Sequence, residues 1–298
     1  MKILSVGQAT CDITYQTDFY PTENTKYYVE DKTISGGGSA ATMALLLAKW
    51  NQDVTFITSI ANDPFAPLAL DNLKKAGVNL DYILEDGEKT PLAFVINNQK
   101  SETRTILNAK NLVKEFNPKP LDFTPDIIVV DGRYANLATY YLNKYPDALT
   151  MLDAGRYDEG TVQLAKLVDY VVCSHDFAKD YTKLPWDLSD KDGIKAIINQ
   201  LNQDFNGKII ITCESHGCLA LIDDEIFLIP SIEVPVIDSN GAGDIYHGAF
   251  AYGLTKEWNL IKTMQISNIT AALSLTKHGA QTAVPELNKV LEIYEKVK

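Results

Sequence analysis

Four cysteines in 298 residues, none in a CxxC pair, and four histidines without ligand-like spacing leave no disulfide framework and no recognisable zinc site. Cys11, Cys173, Cys213 and Cys218 read as the reduced thiols of a cytoplasmic protein, Cys213 and Cys218 being plain strand residues. Basic residues are scarce as well. The 27 Lys and Arg against 39 Asp and Glu give a formal charge of −12, which repels nucleic acid and anionic membranes. A phosphate must then be held by a local site and not by the global field. No long apolar run occurs, and the opening MKILSVGQATCDITY is too short and polar for a signal peptide or membrane span. Also missing are the GxGxxG dinucleotide fingerprint, a Gly-Lys-Ser/Thr phosphate loop, internal repeats and low-complexity tracts.

What is present is ordinary for a globular chain with a sizeable core: 46% apolar and 22% charged residues, enough for one large α/β domain or two smaller ones. Apolar runs alternate with helical periodicity. KILSVG, DVTFITSI, DIIVVDG, LTMLDAG, VDYVVCS and KIIITCE read as strands, with SAATMALLLAKW, PFAPLALDNLKKAG, ANLATYYLNKY, TVQLAKL and IKAIINQLNQD as intervening helices. Strands without polar alternation are buried on both faces, so the pattern predicts a parallel sheet covered by helices through right-handed crossovers. Beyond residue 205 two further strands, GCLALID and EIFLIP, flank an acidic turn, and helices follow near 242–254, 258–277 and 286–297. Residues 13–34 and 92–107 break the alternation; rich in Tyr, Thr and charge, they read as a small β-lid, or else as two surface hairpins.

Two glycine-rich stretches carry chemistry. GGGSAATMALLL, from Gly36, can present free amides at a helix start, or can simply be a tight turn that packs helix on sheet. DSNGAGDIYHGAF, residues 238–250, is more specific. Amides of Gly241, Ala242 and Gly243 at a helix start can bind charge developing on a phosphate, and Asp244 beside them can take a proton from a hydroxyl. Phosphoryl transfer needs those two functions. The plainer alternative is an acid that pairs with the helix dipole.

The same stretch resembles the C-terminal signature of the ribokinase/PfkB family of carbohydrate kinases, DTxGAGD followed by a small-residue helix, and the stretch at Gly36 resembles the N-terminal signature. The likeness runs from VGQATCD to KHGAQTAVP. It implies an α/β fold, a Rossmann-like three-layer sandwich with a mainly parallel sheet and a small β-lid, as one kinase domain over residues 1–298. It also implies ATP with Mg²⁺, a monovalent cation such as K⁺, a small-molecule sugar as acceptor, and a homodimer formed through the lid. By the match Asp244 is the catalytic base, with Gly241, Ala242 and Gly243 as the anion hole. Asp12, Gly37, Gly38, Thr42 and Asp131 fall at sugar-side positions. Arg104, Ser174, Thr212, Gly217, Asn268 and Gly279 fall on the nucleotide side.

Departures point to a branch. Thr42 stands where the first signature commonly has Asn, and Ser174-His175-Asp176-Phe177 replaces the NxxE motif tied to magnesium and phosphate handling, so no metal ligands are assigned. SHDFAKDY, TRTIL and DGRYA are similar to ketohexokinases. GGGSAAT, PTENTKY and Asn108 are equally similar to 6-deoxy-6-sulfofructose kinases, in which positions matching Lys26, Asn108 and Arg133 hold the sulfonate. The expectation is transfer to a primary hydroxyl, O1 of a ketohexose or of a 6-sulfonated or 6-phosphorylated ketohexose. Rival readings are a nucleoside kinase of the same fold, which Tyr27, Tyr28 and Phe94 would serve as an aromatic sandwich, and a non-catalytic sugar-binding regulator. The intact GAGD speaks against the latter.

Overall fold

The computed structural model describes residues 1–30, 32–101, 103–109 and 116–298; Asp31 and Glu102, within the two lid segments, lie outside the described residues. In chain order the strands are β1 (Lys2–Val6), β2 (Thr10–Thr17), β3 (Lys32–Gly37), β4 (Asp53–Ile57), β5 (Leu92–Asn98), β6 (Thr103–Asn108), β7 (Ile127–Asp131), β8 (Leu149–Ala154), β9 (Tyr170–Ser174), β10 (Lys208–Thr212), β11 (Cys218–Ile222) and β12 (Glu225–Ile229). The helices are α1 (Ser39–Lys49), α2 (Ala66–Lys75), α3 (Ala135–Lys144), α4 (Glu159–Ala165), α5 (His175–Thr182), α6 (Lys191–Asp204), α7 (Ala242–Thr255), α8 (Leu260–Ser274) and α9 (Leu287–Val297).

The main sheet has the order β12-β11-β10-β9-β8-β7-β1-β4. The six strands from β10 to β4 run parallel, and β11 and β12 fold back antiparallel. The turn between those two places Asp223 and Asp224 at φ 49° and 67°, a left-handed pair that aspartate tolerates and that matches the twist of a hairpin. The parallel strands are apolar on both sides because both sides are covered: all five residues of β7 are buried. One core packs α1, α2, α7, α8 and α9 on the sheet, and a second packs α3 to α6 on its other face. Helix α1 shows no amphipathic stripe, being buried from Ala40 to Leu47 between sheet and α7.

The lid is a four-stranded sheet, β3-β2-β5-β6, in which β2 runs parallel to β5 and the outer pairs are antiparallel. Its register sets its two faces. Ser35, Asp12, Ala93 and Asn108 form one row across the strands, and Ile34, Ile13, Phe94 and Leu107 form the next. Neighbouring rows point to opposite faces, so the polar row looks inward and the apolar row outward. Ile34, Phe94 and Leu107 are exposed there.

Candidate active site

Asp131, Asp153, Ser174 and Thr212 end or nearly end β7, β8, β9 and β10, and line one cavity of about 920 Å³ with the lid as its roof. In an open parallel sheet ligands bind outside the carboxyl ends of the strands, where the strand order reverses. Here the reversal lies between β1 and β7. Gly7 leaves β1 so close to Asp131 that a Cβ would stand 2.4 Å from that carboxyl carbon. Asp131 in turn accepts from the backbone N–H of Gln8, Ala40 and Arg133 at 2.9, 3.2 and 2.9 Å, tying three segments to one point. Burial raises its pKa, against those amides and the nearby Arg133 charge.

Two helices open into the cavity, and both start on glycine without a side-chain cap: α1 on Gly38 (φ 94°) and α7 on Gly241 (φ 78°). By contrast α4, α5, α6 and α8 are capped by Asp158, Ser174, Asp190 and Asn259. The positive φ at Gly241 is reinforced by packing, since a Cβ would meet that of Ala280 at 2.4 Å. A Cβ on Gly243 would meet nothing within 4 Å, because it would point into the cavity. The first-turn amides of α7 therefore face the cavity with the positive end of the helix behind them.

Asp244 follows in that turn. Its pKa is pushed up to about 6, first by burial and then by the charge of Asp153, against the Ser39 hydroxyl, His247 and Arg104. Asp12 is likewise pushed up to about 6 by burial and by Asp244, while the Thr10 hydroxyl donates to it at 2.5 Å. Both carboxylates, raised by burial and a neighbouring acid, are ionised at neutral pH yet are better proton acceptors than an exposed aspartate. Arg104 reaches across from β6 and donates to the carbonyl and hydroxyl of Ser239, at 2.5 and 2.8 Å, latching the lid beside the glycine turn.

Of the residues singled out from sequence, the cavity brings together Asp12, Gly38, Arg104, Asn108, Asp131, Arg133, Ser174, Thr212, Gly217, Asn268 and the run Gly241 to Asp244. Ser174 both caps α5, accepting from Phe177 N–H at 3.0 Å, and donates to Gly155. Asn268 donates to the carbonyls of Ile229 and Pro230, pinning the end of β12 to α8 at the cavity wall. Four residues are not brought there. Gly37 lies under Asp12, where a Cβ would stand 2.2 Å from the carboxylate. Thr42 is fully buried inside α1, its hydroxyl without a partner among the described residues. Gly279 donates to Asp238, whose other oxygen accepts from Asn240, so it braces the glycine turn from behind. Lys26 is exposed, with its ammonium over the Tyr28 ring at 5.2 Å, so the expected meeting of Lys26 with Asn108 and Arg133 is absent. The aromatic sandwich is absent too among the described residues: Tyr28 is 85% exposed, Tyr27 packs at a tilt against Phe19, and Phe94 is on the outer face of the lid.

Sequence reasoning passed over Asp153, Arg156, Ser39 and His247, all of which line the cavity. A signal for the first two existed. VVDGRY and MLDAGRY are near-copies, each with an aspartate at or next to the end of its strand and an arginine two or three residues on, and Asp131 and Asp153 are register partners.

The family model described as pfkB family carbohydrate kinase matches residues 1–287. The chain belongs to that family. It is therefore a phosphotransferase acting on a sugar hydroxyl. Among its relatives is the ribokinase of Staphylococcus aureus (strain COL), 25% identical, with 98% of this chain and 99% of the relative covered. Among solved structures, a putative ribokinase from Agrobacterium tumefaciens superposes with a TM-score of 0.87 at 21% identity, covering 99% and 98% of the two chains. The Arabidopsis thaliana ribokinase complexed with ribose and ATP gives 0.78 at 19% identity, covering 98% and 97%. These likenesses carry the ribokinase-like fold, a mainly parallel sheet with helices on both faces and a small lid. Among the described residues of this kinase no helix is long and apolar enough to cross a membrane.

Proposed function

We propose that this kinase transfers the γ-phosphate of ATP to a primary hydroxyl of a sugar, O1 of a ketohexose or of a ketohexose bearing an anion at C6. The observation that carries the reading is Asp244, with raised pKa, in the uncapped first turn of α7, sharing one cavity with Asp12 on the lid. Asp12 and Asn108 hold sugar hydroxyls from above. Asp244 takes the proton of the attacking hydroxyl, and the amides of Gly241, Ala242 and Gly243 stabilise charge on the phosphate in flight. Thr212, Gly217 and Asn268 flank the nucleotide end. Mg²⁺ would come with the nucleotide, whose phosphate charge it neutralises. K⁺ is retained as an activator on the resemblance alone. The four cysteines are free and buried, in keeping with a cytoplasmic setting. A thermal-shift screen over ketoses, 6-phosphates, 6-sulfonates and nucleosides, with an ATP analogue present, tests the reading; stabilisation by nucleosides alone would overturn it.

Arg133 and Asn108 support the C6 anion, and Lys26 does not. With Arg133→Met, KM for a 6-sulfonate or 6-phosphate sugar is expected to rise ten-fold or more, about 1.4 kcal/mol, while fructose is handled as before. Equal losses on both sugars would reduce Arg133 to a counter-charge for Asp131 and Asp153, both of which it lowers.

The homodimer is proposed on the outer lid row, Ile34, Ile13, Phe94 and Leu107, a contiguous apolar strip that none of the described residues covers fully. Light scattering is expected to give twice the 33.0 kDa chain mass and to fall to the single value in Leu107→Asp. A monomeric wild type would end the proposal.

A further inference from the structure

His247 lies one turn into α7, beneath Asp244, and both of its ring nitrogens face oxygens that can only accept. Nδ1 is 2.6 Å from the Gly243 carbonyl, and Nε2 is 3.0 Å from the Val172 carbonyl on β9. A neutral imidazole carries one N–H, so one nitrogen would set its lone pair against a carbonyl lone pair at hydrogen-bond distance. With both nitrogens protonated both contacts are satisfied. The positive charge also has a counter-ion in place: Asp153 Oδ2 stands 3.4 Å from Nδ1, is fully buried, and has no hydrogen-bond partner among the described residues. We propose that His247 is an imidazolium paired with Asp153 that acts as a positioning residue, clamping the glycine turn to β9.

The clamp acts at Gly243, one of the three residues assigned to the anion hole. Gly243 offers its amide to the cavity, and its carbonyl, on the helix side, is gripped by His247. The electrostatic role follows from the charges that face Asp244 from each packed element: Asp12 from β2, Arg104 from β6, Asp153 from β8 and His247 from its own helix, with the Ser39 hydroxyl from α1. Asp153 itself also faces Asp131 from β7 and Arg133. Asp153 disfavours the ionised base and His247 favours it, so the pair holds the balance between them. Titration of such a cluster belongs to the group as a whole, and the acid limb of the rate profile is what reports it.

The inference rests on Asp244 being the base, and its test separates the two. In protein labelled with ¹⁵N-histidine, the signal lost in His247→Asn should show two protonated ring nitrogens in the wild type at pH 7.5; a single neutral tautomer would overturn the proposal whatever Asp244 does. In the kcat/KM profile, His247→Asn should move the acid limb up by about one pH unit, and Asp153→Asn should move it down by a similar amount. A residue that merely packs would lower activity evenly across pH and shift neither limb, and that outcome also overturns it. Should His247→Asn fail to fold, the His247 signal is assigned by elimination from His175→Asn, His216→Asn and His278→Asn, the other three histidines, and the wild-type spectrum still decides. If Asp244→Asn keeps its turnover, the base assignment fails while the spectrum still reads the imidazolium.

Discussion

Asp244→Asn is expected to leave ATP and sugar binding nearly intact while turnover falls by about two to four orders of magnitude, the usual range for loss of a general base. That is roughly 3 to 5.5 kcal/mol of transition-state stabilisation. Asparagine keeps the size of the side chain and can still meet Ser39, so the deficit isolates proton acceptance. Stability should move the other way. The folded pKa of Asp244 is raised to about 6, above that of an unfolded aspartate, so ionising it opposes folding. The opposition sets in as pH rises from the unfolded value through about 6 and is complete above it. The asparagine variant escapes it, and its Tm at pH 8 should equal or exceed that of the wild type. Rapid-quench turnover within a few-fold of wild type would remove Asp244 from the mechanism.

Gly243→Val is expected to abolish turnover without unfolding the protein. The site where its Cβ would go is open in this structure, so the fold has no objection, and valine has a somewhat better helix propensity than the glycine it replaces. The branches would instead occupy the space in front of the amides, where a phosphate must approach. Gly241→Val is the control with the opposite signature: its Cβ would collide with Ala280 and its φ is positive, so there the Tm should fall. If Gly243→Val retains most of its activity, as read by a coupled ADP assay, the glycine turn is a packing device and not an anion hole.

The secondary structure was legible because its causes are local. Doubly buried parallel strands have no polar alternation, so KILSVG, DIIVVDG and KIIITCE announced their sheet, and the glycine turns announced where α1 and α7 begin. The GAGD chemistry was legible for the same reason: amides, dipole and acid lie within one turn of helix, and spacing alone puts them together. Even the lid's inward and outward rows are a period-two pattern once the register is known.

Convergence between distant segments was not legible. Gly279 falls on the nucleotide side by resemblance, and only the structure shows its amide donating to the Asp238 carboxylate behind the glycine turn. Lys26 was grouped with Arg133 on resemblance, although a long cation at a loop tip finds water and an aromatic face more cheaply than burial. His247 sits in an apolar helix stretch and reads as a core residue until β9 and β8 bring a carbonyl and a carboxylate to its ring. The sequence by itself determined which segments become strand or helix, where the phosphate-facing turn lies and which acid follows it, because those follow from neighbours along the chain. Only the tertiary structure decided which charges share a cavity and which point to solvent, because desolvation and Coulomb interaction depend on distance in space, and residues 75 to 123 positions apart meet here within hydrogen-bonding reach.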